Sequence, residues 1–349
     1  MTPTDPLLRS RREFLTSSAS GLGGLALAHL LATERARATP VDGTARLAPR
    51  DGHFAPRAKR CIFIFMAGAP SQIDLFDAKP GLEKHEGTEL PASVRNGQRL
   101  TGMTANQKQL VMPAKAKFHR WGASGATVSE WLPHIGSVAD QLCFVKSMTT
   151  DSIHHAPAMT FLMTGHQLPG RPSAGAWVSY GLGSVNRDLP DYIVLVSKMQ
   201  RPSDQPLYDY YWGSGFLPSR HQGVPLRAGK EPVLYLNNPS GITSKARRTM
   251  LNGLNELNQL KFESSLDPEV DTRIRQYEMA FRMQTSVPEL ADLSDESEAT
   301  FKLYGPESRR AGSYASNCIL ARRLAERGVR FIQLFHPDWD HHKKLTAWC

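Results

Sequence analysis

Carboxylate and imidazole side chains gather in three short segments of this 349-residue chain, each directly after an apolar run. Ser71-Gln72-Ile73-Asp74-Leu75-Phe76-Asp77 follows the first run, Asp151-Ser152-Ile153-His154-His155 the second, and His336-Pro337-Asp338-Trp339-Asp340-His341-His342 the last. Such donors together suit zinc, manganese or iron, and a site with open positions activates water or polarises a phosphoryl or sulfuryl oxygen. The last segment is the densest, and Asp340 and His342, at D-x-H spacing, fall on one side of an extended backbone. Each segment also has an ordinary reading. Asp77, before Ala78-Lys79-Pro80, is equally a turn former. Ser71 reads better as a helix cap than as a nucleophile, because no base adjoins it. His154 and His155, before Ala156-Pro157, serve either as site residues or as buried rings bonded to backbone. The argument for chemistry is positional: all three segments sit where strands should end.

The apolar runs supply those strands. Residues 60–66 (RCIFIFM) form a nearly continuous run that stops at Ala67-Gly68-Ala69-Pro70, as a strand buried on both faces does. Residues 142–146, 192–197, 232–236 and 329–335 are further strands. Residues 127–141 carry Val128, Trp131, Leu132, Ile135 and Val138 at helical spacing, with Ser129 placed as a cap. Val270, Ile274, Tyr277 and Phe281 fall on one helical stripe, and residues 312–327 form a helix stopped by Gly328. This alternation predicts an α/β fold, a mainly parallel sheet with helices on both faces, whose functional groups collect at the carboxyl edge. The polar excursion 79–121 and the aromatic loop 208–222 would decorate that edge. In the loop, Tyr208, Tyr210, Tyr211, Trp212 and Phe216 offer faces for sugar rings, although packing of the loop itself is the plainer reading.

Ser10-Arg11-Arg12-Glu13-Phe14-Leu15, an apolar stretch over residues 19–32 and Ala36-Arg37-Ala38 have the order of a twin-arginine export signal. The apolar stretch falls short of the ~20 residues that span a bilayer, so no permanent membrane span is expected. Residues 1–38 are therefore read as the signal and 39–349 as a single domain. The twin-arginine translocase is the partner in export, and the destination is periplasmic or extracellular. Removing the signal takes away five arginines and three acids, so the formal charge falls from +9 to +7. A chain this basic suits polyanionic glycans, whereas nucleic acid is disfavoured by the lack of a basic helix with interleaved aromatics. Cys61, Cys143, Cys318 and Cys349 show no short spacing, which argues against a zinc cluster or a disulfide framework; the first three read as buried small hydrophobes.

Residues 155–165, HAPAMTFLMTG, resemble the nucleophile segment of sulfatases, in which C-x-P-S-R precedes a short helix and a Thr-Gly pair. The overlay puts His155 at the nucleophile position and Pro157 at the proline, with Ala158 and Met159 at the serine and arginine. Histidine cannot supply the sulfatase aldehyde hydrate, so sulfatase chemistry in its usual form is not expected. Wider segments resemble the bacterial domain-of-unknown-function family 1501, a sulfatase-like branch of the alkaline-phosphatase superfamily: FIFMAGAPSQIDLFDAKPGL from Phe63, SIHHAPAMTFLMTGHQLPGRPSAGAWVSYGLG from Ser152, WGSGFLPSRHQGV from Trp212 and GVRFIQLFHPDWDHH from Gly328. The resemblance implies an alkaline-phosphatase-like fold and descent from metal-dependent phosphate or sulfate ester hydrolases. It implies His155 as the catalytic residue and Asp74, Asp77, Asp340 and His342 as ligands of a divalent metal such as zinc, manganese or calcium. Ala67-Gly68 stands where the superfamily commonly places a metal-binding Asp. Relatives continue past the equivalent of residue 349, so the domain is expected to be incomplete at its C-terminus and to have little hydrolase activity as it stands. Two other expectations are a non-catalytic envelope protein that holds a sulfated or phosphorylated glycan in the same cleft, and an inactive fragment.

Overall fold

A computed structural model of the chain describes residues 55, 57–198, 206–227, 232–233, 236–265 and 267–341. The export segment 1–38 and His342 lie outside the described residues. In chain order the elements are β1 (Cys61–Met66), α1 (Gln72–Leu75), α2 (Ala92–Arg95), β2 (Phe118–Trp121), β3 (Ala126–Ser129), α3 (Pro133–Ser137), α4 (His155–Thr164) and α5 (Ala174–Leu182). There follow β4 (Tyr192–Val196), β5 (Val224–Leu226), α6 (Ser244–Ser265), α7 (Pro268–Ala291), α8 (Glu298–Tyr304), α9 (Tyr314–Glu326) and β6 (Phe331–His336). The fold is α/β. Four strands in the order β1-β6-β4-β5 make a parallel sheet, and β2 and β3 form a separate antiparallel pair.

Alternation along β4 and β6 divides the core into two layers, since successive side chains of a strand point to opposite faces. Ile193, Leu195, Ile332 and Leu334 meet Met283, Val287 and Leu290 of α7 and Ala321 and Leu324 of α9 on one face. Tyr192, Val194, Phe331 and Phe335 meet Met159 and Met163 of α4, with Tyr211 and Trp212, on the other. The central strand β6 is buried along nearly its whole length. Its one polar inward residue, Gln333, is satisfied by the Tyr192 hydroxyl, which donates to Oε1, and by Met163 Sδ, which accepts from Nε2 at 3.0 Å. Gly175 at the start of α5 lets that helix close on the Tyr192 ring, where a Cβ would lie 2.4 Å from Cζ. At the edge, β5 carries Pro225, which has no N–H to give a further strand.

Several expectations need correction. β1 is an edge strand: Phe63 and Phe65 pack against Phe331 and Phe335, whereas Ile62 and Ile64 on its other face are exposed. The run 142–146 forms no strand, and Leu142 and Val145 stand in solvent. The helix expected over 127–141 is replaced by β3 and the short α3, because Val128 is buried in a hairpin paired with Phe118–Trp121 and the Trp121 ring packs on Gly136. The strand expected over 232–236 falls partly outside the described residues, and none of its described part is a strand. Cys61 and Cys143 are exposed rather than buried. The long helices agree better. α7 begins at the Asp267 cap, whose side chain accepts from Glu269 N at 2.9 Å, and buries Val270, Met283, Val287 and Leu290. α9 begins at the Ser313 cap, and the chain turns at Gly328 with a φ of +88°.

Candidate functional site

The parallel pairing of β1 with β6 brings their carboxyl ends together, and the loops leaving them are clamped to each other. Ala67 N donates to His336 O at 2.8 Å, and Trp339 N donates to Ala67 O at 3.1 Å. Gly68 makes this approach possible. With φ at +99°, a Cβ there would lie 2.5 Å from Asp340 N and 3.0 Å from Asp340 Cβ, so only glycine satisfies both the backbone and the space. Ala69 and Asp338 flank it with φ of 66° and 74°, a left-handed region that side chains other than glycine seldom occupy. The clamp fixes Asp340 beside the first residue of α4, so that Asp340 Oδ2 lies 3.3 Å from His155 Nε2. Their side chains are 24% and 35% exposed, respectively, so the pair is open to a ligand. Met159 and Met163, buried beneath, anchor α4 on the sheet and hold His155 in place.

The other expected site residues have different partners. Asp74 is buried in α1, where Oδ2 accepts from Ser71 Oγ and Oδ1 from Lys115 N, both at 2.6 Å. Ser71 thus stands at the cap position of α1, but its hydroxyl serves Asp74 rather than a helix N–H. Asp77 pairs with Lys79 Nζ at 2.5 Å, and this hydrogen bond holds its carboxyl below the usual range. His336 is turned into the structure, stacked on Tyr314 at 4.1 Å, and its Nδ1 accepts from Trp339 Nε1 at 2.9 Å. Burial lowers its pKa against the opposing charge of Asp338. Among the described residues no three His, Cys, Asp or Glu side chains stand together as a metal cage. Among the described residues the donors that meet at the site are His155 and Asp340, fewer than the three or four protein ligands that zinc takes.

Two features escaped sequence reasoning. Tyr211 and Trp212 are buried in the second core layer, but Phe216 is 68% exposed and contacts Trp177 of α5, which in turn meets Tyr180. Nothing in the spacing of α5 marks Trp177 and Tyr180 as neighbours of the loop. Beneath them, Ser179 Oγ lies 2.8 Å from His221 Nδ1, and His221 Nε2 accepts from Arg220 Nε at 3.1 Å. Desolvation raises the pKa of Asp191 nearby, against a hydrogen bond from Ser179.

A parallel sheet flanked by helices, with a histidine and a carboxylate meeting where its first and last strands end, defines an α/β protein of the kind that keeps its site at the strand ends. A family model described as "Protein of unknown function (DUF1501)" matches residues 58–349. The chain belongs to that family. No curated protein and no solved structure matches it.

Proposed function

We propose that this chain is an exported, sulfatase-like member of the alkaline-phosphatase type that acts on a phosphate or sulfate ester through His155 and Asp340. The carrying observation is the 3.3 Å contact between His155 Nε2 and Asp340 Oδ2 at the carboxyl edge of the sheet. Asp340 orients the imidazole through Nε2, leaving Nδ1 to take a proton from water. The water oxygen then bonds to phosphorus or sulfur, the ester oxygen leaves with its electron pair, and the proton rests on His155. The amino end of α4, where His155 sits, favours the anionic group of such an ester. A divalent metal such as zinc, manganese or calcium would polarise the ester when bound, with Asp340 and His342 as its candidate ligands. Among the described residues Asp340 alone does not complete such a site.

Purified protein assayed with aryl phosphate, phosphodiester and sulfate esters, with and without added metal, tests this reading. His155→Ala and Asp340→Asn should each lower turnover roughly 100-fold or more. Turnover that survives both substitutions removes the pair from the mechanism.

A second reading rests on the exposed Trp177, Tyr180 and Phe216 group. In it the chain holds a sulfated or phosphorylated glycan without hydrolysing it, stacking sugar faces on these rings. Sulfated-polysaccharide binding lost in Trp177→Ala, with no turnover of any ester, would replace the first reading by this one. Export through the twin-arginine translocase to the periplasm or beyond rests on Arg11 and Arg12. Changing both to Lys should keep the precursor inside the cell, and normal export of that variant would refute the assignment.

A further inference from the structure

Residues 87–112 form a lobe without a buried interior. Its two ends are paired, with Gly87 N donating to Val111 O at 3.0 Å, Val111 N to Thr88 O at 2.9 Å and Leu90 N to Gln109 O at 2.8 Å. The chain leaving the lobe is tied down beside α1, where Lys115 N donates to Asp74 Oδ1 at 2.6 Å. From Lys79 to Met112 no side chain is buried. Large apolar side chains are present all the same, and they stand in solvent: Val94 is 64% exposed, Met103 66%, Leu110 55% and Met112 59%. Single exposed apolar residues are ordinary, but four on one lobe without a core mark a surface that another apolar phase covers.

The charges indicate what that phase is. Residues 90–129 contain no Asp or Glu, where an even spread of the chain's 33 acids would put about four. They carry six cations, Arg95, Arg99, Lys108, Lys115, Lys117 and Arg120, and all six are exposed. Lys115 pairs with Glu86 at 3.4 Å, and the other five have no acidic partner among the described residues. Glu89, opposite Leu110 across the paired ends, is the only acid of the lobe and stands against Arg95, Arg99 and Lys108. Charge and apolar surface share a face. Along the extended strip 108–112, Lys108, Leu110 and Met112 are exposed, whereas the alternate residues Gln109 and Val111 are half-buried.

A polyanionic glycan would answer the cations but leave the apolar side chains in water. An anionic bilayer answers both, because its headgroups attract Lys and Arg while the acyl boundary takes Val, Leu and Met. It also needs no complementary shape, unlike a protein partner, and this suits a lobe of turns around the four-residue α2. We propose that the lobe 87–112, with the cations that follow it, is a membrane-binding surface for anionic lipid. The contact is peripheral: among the described residues no helix is long and apolar enough to cross a membrane.

Hydrogen–deuterium exchange of the full chain, resolved by peptide, tests the proposal, because it reads the lobe separately from the apolar residues 19–32. Vesicles of mixed phosphatidylcholine and phosphatidylglycerol should slow exchange across residues 90–112, and vesicles of phosphatidylcholine alone should not. Each basic residue at an anionic surface strengthens binding about fivefold, so Arg95→Ala, Arg99→Ala and Lys108→Ala together should raise the lipid concentration for half-maximal protection about a hundredfold. Leu110→Ser with Met112→Ser should raise it about tenfold or more, and should leave any protection by dextran sulfate unchanged. Lobe exchange that anionic vesicles do not alter, or that neutral vesicles slow equally, overturns the proposal without recourse to a variant. So does vesicle protection that survives the Leu110 and Met112 changes undiminished. Protection by dextran sulfate with none by anionic vesicles assigns the surface to a glycan and likewise overturns the lipid assignment.

Discussion

Replacing Gly68 by alanine tests how the site is held together. The φ of +99° costs a side-chain-bearing residue about 1–2 kcal/mol. The new Cβ would also overlap Asp340 N at 2.5 Å. Because that neighbour is backbone pinned by the Trp339 N to Ala67 O bond, the overlap adds about 1–3 kcal/mol, as overpacking does. The sum, about 2–5 kcal/mol, corresponds to a drop in Tm of roughly 4–10 °C at about 2 °C per kcal/mol for a domain of this size. Gly165→Ala is the internal control. Gly165 caps α4 with φ at +75° and nothing within 4 Å of a Cβ, so it should show the backbone cost alone, about 1–2 kcal/mol. Thermal and urea unfolding of both variants give the difference. A double-mutant cycle between His155 and Asp340, run in the wild-type and Gly68→Ala backgrounds, gives the second readout, because displacement of Asp340 should abolish their coupling. If Gly68→Ala is no more destabilising than Gly165→Ala and the coupling persists, the close approach of the two loops does not position the pair.

Arg323 of α9 is 4% exposed and bonds Asp295 at 2.6 Å, Glu296 at 2.9 Å and the Glu289 carbonyl at 3.1 Å. Arg323→Ala leaves Glu296 shielded beside fewer cations and should cost about 3–5 kcal/mol in urea unfolding; a loss below about 1 kcal/mol would show that solvent replaces the network. His336 should make stability fall on acidification. Its folded pKa lies below the ordinary 6.5, so the unfolded chain binds the extra proton first. The stabilising contribution is present above that value and is lost as pH falls through the folded pKa. Denaturation midpoints from neutral to mildly acid pH should decline in the wild type and decline less in His336→Asn, whose amide oxygen can still accept from Trp339; identical slopes would remove His336 as the cause.

The strands that form the middle of the sheet were legible in the sequence, and their surroundings were not. Residues 192–197 and 329–335 read correctly because a run of apolar residues with a polar or glycine stop is what a strand in mid-sheet requires. Residues 142–146 have the same composition, but hydropathy does not tell whether a neighbouring strand offers hydrogen bonds. The stripe over 127–141 misled for a related reason: Val128 and Trp121 belong to one hairpin, a pairing that helical spacing cannot express. Within the candidate site, the residue types at 74, 77, 155 and 340 were evident, but their partners were not. Lys115 N reaches Asp74 from 41 residues away, and the choice of Asp340 as the neighbour of His155 depends on the space left at Gly68. The only sequence trace of that space was a glycine between two alanines at a strand end.

The adjacency of β1 and β6 also shapes how the chain reaches its native state. Cys61 pairs with Phe331, 270 residues later, so β1 has no permanent neighbour until almost all of the described chain has been synthesised. Its sequence CIFIFM has no charge, proline or glycine to discourage pairing with another chain. Such a segment waits in the nascent protein as an aggregation hazard, and contacts of this long range slow folding. Chaperone capacity during synthesis, more than the equilibrium stability of the finished sheet, should therefore set how much soluble protein a cell accumulates.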